Sequence, residues 1–297
     1  MKGGTKKKPR GVKHKIRKER KREQHTRSAV IVVILIVVIS VSGFFIYSML
    51  GSSSHGEEPN PTSGPKAAIV DQLSLTFPNQ TFNETATNIL KQAGYTVDYY
   101  PGEEVDVEFY GNLPTHGYDL IILRVHSTAS LREGEEVPVV LFTCEPYSQT
   151  KYVYEQLTNQ IKWVAYSQAD YEEGILYFGI DPRFVTQSMK GSFQNTVIIM
   201  MGCEGLDNTL MAEALVEKGA KVYISWNKPI SASHTDLATT HLLQHFLIEK
   251  RTIEDSLRET FKEVGFDLLR DSLLIFYPLE VGDQTIENIT GNPTTKP

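Results

Sequence analysis

The chain has 297 residues, 40% hydrophobic and 22% charged, which excludes wholesale disorder and suits one or two globular domains. Its net charge of −6 conceals an asymmetry: residues 1–27 hold thirteen of the 30 Lys and Arg against Glu19 and Glu23, so the arm carries +11 and the rest −17. Two cysteines, Cys144 and Cys203, allow at most one intrachain disulfide and exclude a disulfide scaffold.

Residues 1–27 show no hydrophobic period and read as a basic arm. Residues 28–50, SAVIVVILIVVISVSGFFIYSML, contain no charge. As a helix they extend roughly 34 Å, enough for a bilayer core of about 30 Å. We expect a retained single-pass transmembrane anchor, with signal-peptide cleavage after residues 40–43 as the alternative. The positive-inside rule places the arm in the cytoplasm, against anionic lipid headgroups rather than nucleic acid, and the C-terminal segment outside the cell membrane. Residues 51–66, rich in Gly, Ser and Pro, read as a flexible stalk. Acceptor triplets for N-glycosylation start at Asn79, Asn83 and Asn288.

Residues 67–280 alternate strand and helix patterns. Strands are predicted over 67–73, 96–100, 119–125, 137–143, 161–166, 175–178, 196–201, 221–226 and 273–277. Helices are predicted over 83–93, 182–190, 209–218, 233–249 and 253–264. This order implies an α/β fold, a mainly parallel sheet with helices on both faces. Residues 281–297 read as a loose polar tail.

Two of these strands stop at reactive side chains. YDLIILRVHST (118–128) runs into His126, and NTVIIMMGCEGL (195–206) runs into Cys203. Reactive groups in open α/β sheets gather beyond the carboxyl ends of parallel strands. There an imidazole lowers the effective pKa of a thiol, and the thiolate is the nucleophile of acyl transfer. We read His126 and Cys203 as a catalytic dyad, with the N–H groups of Ser127 and Cys203 as an oxyanion hole. A helix starting near Thr209 would further favour the thiolate. The bland alternatives for Cys203 are inert burial and a disulfide with Cys144.

The VHS of Val125–Ser127, the MGCEG of Met201–Gly205 and the GAKVYISW of Gly219–Trp226 resemble the caspase-like (clan CD) cysteine peptidases, a group that includes caspases, legumain, separase, clostripain and gingipains. The resemblance covers roughly residues 67–279. One departure is Ser127, where that group commonly has Gly. The resemblance implies a three-layer caspase-like fold and a polypeptide substrate. It carries over His126 and Cys203 as the dyad, and it assigns Asp71 and Trp226 to a pocket for the substrate side chain.

His234, His241 and His245 share one predicted helix, and the last two have the i, i+4 spacing of metal ligands. The intervening Leu242–Leu243–Gln244 lacks the Glu of a metalloprotease base, so we expect a polar stripe and no metal or cofactor. The expectation is therefore a membrane-anchored, extracytoplasmic cysteine endopeptidase. Its alternatives are a catalytically silent caspase-like binding or scaffold domain and, third, a zinc hydrolase using the helix histidines.

Overall fold

The computed structural model describes residues 64–129, 137–267 and 270–291. The basic arm, the apolar run at 28–50 and most of the stalk lie outside the described residues. Among the described residues, no helix is long and apolar enough to cross a membrane.

The fold is mixed α/β, built on a six-stranded sheet of order β10-β9-β8-β3-β1-β2. Its strands are β1 (Lys66–Asp71), β2 (Thr96–Pro101), β3 (Leu120–Leu123), β8 (Thr196–Met200), β9 (Ala220–Trp226) and β10 (Leu274–Tyr277). All neighbours pair in parallel except β9 and β10. The central strands read as unbroken apolar runs because both of their faces are covered. On one face Ala67, Ile69, Leu120, Ile122, Val197 and Ile199 pack against helices; on the other, Ala68, Val70, Ile121, Leu123, Ile198 and Met200 do the same.

Helix α1 (Gln80–Gln92) joins β1 to β2 and buries Phe82, Ala86, Ile89 and Leu90. It starts three residues earlier than the apolar spacing predicts, because the Asn79 side chain accepts the Phe82 N–H at 3.1 Å and caps it there. Helix α2 (Val107–Asn112) leads on to β3.

The largest departure from expectation lies between β3 and β8. The chain builds a second, antiparallel sheet of order β4-β5-β7-β6 from β4 (Ser127–Ala129), β5 (Val139–Pro146), β6 (Ile161–Val164) and β7 (Tyr177–Ile180). Its Val139, Leu141, Ile161 and Ile180 join the same core as Leu123 and Met200. Short helices α3 (Val153–Leu157) and α4 (Gln168–Glu173) sit in this region, followed by α5 (Pro182–Gln187). Helices α6 (Leu210–Glu217), α7 (Ala232–Leu243) and α8 (Ile253–Val264) complete the layers. Predicted as one helix to Glu249, α7 instead widens into a π-helical turn over Gln244–Ile248.

The tail prediction needs correction. Val281 is buried, and helix α9 (Ile286–Thr290) buries Ile286 and Ile289 in the core beneath β1, β3 and β8. Three apolar residues among polar ones suffice to dock this segment.

Two glycosylation triplets also have a different use. Asn79 donates to Asp236 at 2.8 Å and Asn83 donates to Asp71 at 2.8 Å, so both side-chain amides are already engaged in the protein. Asn288 is exposed.

Candidate active site

The site is built where β3 and β8 end. In the parallel pair, Leu123 lies opposite Met200, an offset of 77 positions. His126 and Cys203 share that offset, so each lies three residues beyond the last paired rung. Contacts past the sheet keep the two chains together. The Met201 N–H donates to the Leu123 carbonyl at 2.9 Å, and the Ser127 hydroxyl donates to the Cys203 carbonyl at 2.5 Å. Between them Gly202 presses on the same segment. A Cβ there would lie 2.4 Å from both the Val125 carbonyl oxygen and Ser127 Oγ, so only glycine allows the approach. After Cys203 the backbone turns at once, with Glu204 in the left-handed region at φ 60°.

His126 stands at the corner where the chain leaves the parallel sheet for the second one. Its N–H donates to the buried Gln72 side chain at 2.8 Å, and its carbonyl accepts from the Phe142 N–H at 3.0 Å. Its Nε2 lies 2.8 Å from Thr76 Oγ1, which leaves Nδ1 as the nitrogen without a protein partner among the described residues. The ring sits among three aromatic rings, Tyr166 at 5.5 Å, Phe142 at 5.8 Å and Phe77 at 5.9 Å. Burial, aided by the positive charge of Arg124, pulls the imidazole pKa down to about 4.

Cys203 Sγ meets the backbone of Ile230, just before α7. The Ile230 N–H donates to the sulfur at 3.4 Å, and the thiol reaches the Ile230 carbonyl at 3.4 Å. No hydrogen bond joins this thiol to His126. Burial pushes the thiol pKa up, only partly opposed by the hydrogen bond from Ile230. This corrects the expectation of a thiol already activated by its histidine: both groups rest in their neutral forms at pH 7. It also moves the helix contribution. Helix α6 starts at Leu210, beyond the 204–209 turn, and the backbone leading into α7 faces the sulfur instead. Both cysteines are free, and Cys144 bonds to the Glu103 carbonyl at 3.2 Å.

The N–H groups of Ser127 and Cys203 lie past the ends of β3 and β8. The bond from Phe142 N to the His126 carbonyl puts Ser127 and Leu141 in the non-hydrogen-bonded position of an antiparallel pair. The Ser127 N–H therefore points away from β5. Among the described residues, no acceptor takes the Cys203 N–H.

Asp71 and Trp226 are placed differently from the resemblance. Asp71 is fully buried, with one oxygen 2.7 Å from Arg124 Nη1 and the other accepting from Asn83 and Tyr99. Its charge is already neutralised, so it offers no open partner to a basic substrate side chain. Trp226 is 3% exposed and donates its indole N–H to Thr235. It packs with Ile230 and Ala238 against Cys203 and lines a small cavity of about 240 Å³ with Leu257, Phe261 and Val264. A wider groove of about 550 Å³ is lined by Thr128, Phe142, Lys162 and Trp163, next to the aromatic surroundings of His126.

Sequence reading misses what lies underneath. Arg124, fully buried two residues before His126, grips Asp236 through Nε and Nη2 at 2.7 and 2.8 Å and Asp71 through Nη1. It also donates to the Phe77 carbonyl. A charged residue within the apolar run LIILRV is the signal that marks it.

The sequence matches no protein-family model, and no curated protein matches it. Among solved structures, the chain is similar to the Arg-specific cysteine proteinase gingipain R (RGPB), with a TM-score of 0.40 at 12% identity over 78% of this chain and 47% of that one. The chain thus spans about half the length of that structure.

Proposed function

We propose that the protein is a cysteine endopeptidase of caspase-like type, with Cys203 as nucleophile and His126 as proton carrier. The observation that carries this reading is the shared 77-residue offset, which sets the two side chains on adjoining strand ends with free amides beside them. The thiol swings off Ile230 and attacks the scissile carbonyl carbon. The S–H proton passes to His126 Nδ1, while Thr76 holds Nε2. The developing oxyanion is held by the N–H groups of Ser127 and Cys203. The imidazolium formed, disfavoured by burial and by the nearby Arg124 charge, returns the proton to the leaving amine. Water then cleaves the thioester. Because both groups start neutral, catalysis runs by general-base transfer rather than from a resting ion pair.

The apolar run behind the basic arm supports a single-pass anchor with this domain outside the cell membrane. Proteolysis of intact cells is expected to remove the domain while sparing the arm; a fully protected domain contradicts the topology. The thiol's engagement with Ile230 favours a second reading, a silent binding domain. Cleavage of a peptide library by the full chain decides between them, since a silent domain cleaves nothing.

The acid limb of kcat/KM is expected near pH 4, with a plateau through neutrality. A limb near 6.5 would mean that the working imidazole is solvated. Stability follows the same group. The folded pKa lies below the ordinary 6.5, so between about 4 and 6.5 the unfolded chain binds more protons and stability falls as pH drops. His126→Gln is expected to flatten that slope by up to about 3 kcal/mol in urea titrations.

A further inference from the structure

The histidines of α7 meet a partner that their own helix lacks. Glu263, from α8, places Oε2 2.5 Å from His241 Nδ1 and 3.2 Å from His245 Nε2. The three ligand atoms all lie within 4.8 Å of one another. We propose that His241, His245 and Glu263 bind a borderline divalent cation of the zinc type, clamping α7 to α8. This inference is independent of the peptidase reading.

The donor chemistry argues for an ion. His245 has a carboxylate oxygen at each ring nitrogen, Glu263 at Nε2 and Glu249 Oε1 at 3.1 Å from Nδ1. A carboxylate only accepts hydrogen bonds, and a neutral imidazole has a single N–H. Without a cation, a neutral His245 turns one lone pair toward an anionic oxygen, and only protonation of the ring would let both nitrogens donate. A cation between His241, His245 and Glu263 removes the conflict. His245 Nε2 gives its lone pair to the metal, and Nδ1–H, buried and without a hydrogen-bond partner among the described residues, can then turn onto Glu249 Oε1 3.1 Å away. That is the carboxylate–histidine–metal relay that orients ligands elsewhere. Two imidazoles and one carboxylate suit Zn²⁺ and its neighbours rather than Mg²⁺ or Ca²⁺.

The fit is close without being pre-closed. Bonds of 2.0–2.1 Å require ligand atoms no more than about 4.2 Å apart, so a small rotation suffices. The His241 and Glu263 side chains are 37% and 46% exposed and free to make it, whereas the buried His245, at 6%, is the fixed point. His245 lies in the π-helical turn Gln244–Ile248, a local widening often found at functional positions. Three protein ligands leave a coordination position for water.

The test is titration of the full chain with Zn²⁺ by calorimetry and with Co²⁺ by visible absorption. The expected result is one ion per chain, a tetrahedral Co²⁺ spectrum and a thermal midpoint raised by roughly 5 °C at saturating metal. His241→Ala, at a half-buried position, and Glu263→Gln, at an exposed one, are expected to abolish uptake. Glu249→Gln, which removes no ligand, is expected to weaken it by about tenfold. An unaltered chain that takes up no ion overturns the proposal. So does undiminished uptake by His241→Ala and Glu263→Gln, which would place the ion on other histidines or on the thiols. Peptidase activity is not needed for any of these readings.

Discussion

Cys203→Ala and His126→Ala are each expected to lower kcat/KM on a cleaved peptide by about 10⁴–10⁶-fold, and the double variant no further. The physical reason is that sulfur and imidazole act in one step. Once either is gone, the other has no proton to give or receive. The oxyanion donors are backbone N–H groups and survive both substitutions, so a residual rate above the uncatalysed one is expected. Folding should be preserved in Cys203→Ala, since the sulfur's protein contacts are the Ile230 backbone and one edge of the Trp226 cluster. Steady-state kinetics on the three variants are the check. Multiplying losses in the double variant would mean that the two residues work independently.

Arg124→Met is expected to destabilise the fold by about 3–5 kcal/mol, because it leaves the carboxylates of Asp71 and Asp236 buried without their cation. The loss corresponds to a fall in Tm on the order of 10 °C for a domain of this size. Breaking one member of a buried charge network is costly even where the intact network contributes little net stability, since the desolvation penalty stays. The same substitution removes a positive charge that holds the His126 pKa down, so the acid limb of the rate profile should move up. Thermal melts and a pH–rate profile on one preparation measure both effects. A loss below about 1 kcal/mol would show that water reaches the two aspartates. Structure and chemistry are joined here: one guanidinium ties β1, β3 and α7 together directly beneath the candidate base.

The parts of this fold legible in the sequence are those whose pattern is local. The runs ending at His126 and Cys203 read as strands because both faces are buried, and α8 reads as a helix from Thr252, whose hydroxyl caps it, to Gly265 at φ 67°. Three strands of the second sheet fall on predicted runs, 137–143, 161–166 and 175–178, but their antiparallel pairing and the three-residue Ser127–Ala129 leave no local pattern. Pairing register is a tertiary fact, so the sequence proposes His126 and Cys203 but not the Leu123–Met200 rung whose offset they share. The same holds for Glu263, which reaches His241 only because α8 folds back on α7. The lowered pKa of His126 is not legible in the sequence for a related reason. Desolvation depends on what covers a group, and the aromatic rings around His126 come from three separate segments.

The pairing of Cys203 with His126 is tested most directly by treating the protein with a peptidyl chloromethyl ketone and locating the adduct by mass spectrometry. A single adduct on Cys203, absent from Cys144 and lost in His126→Ala although the thiol remains, is the predicted result. Equal labelling of the Cys203→Ala protein, or labelling of Cys203 that ignores the loss of His126, would contradict it.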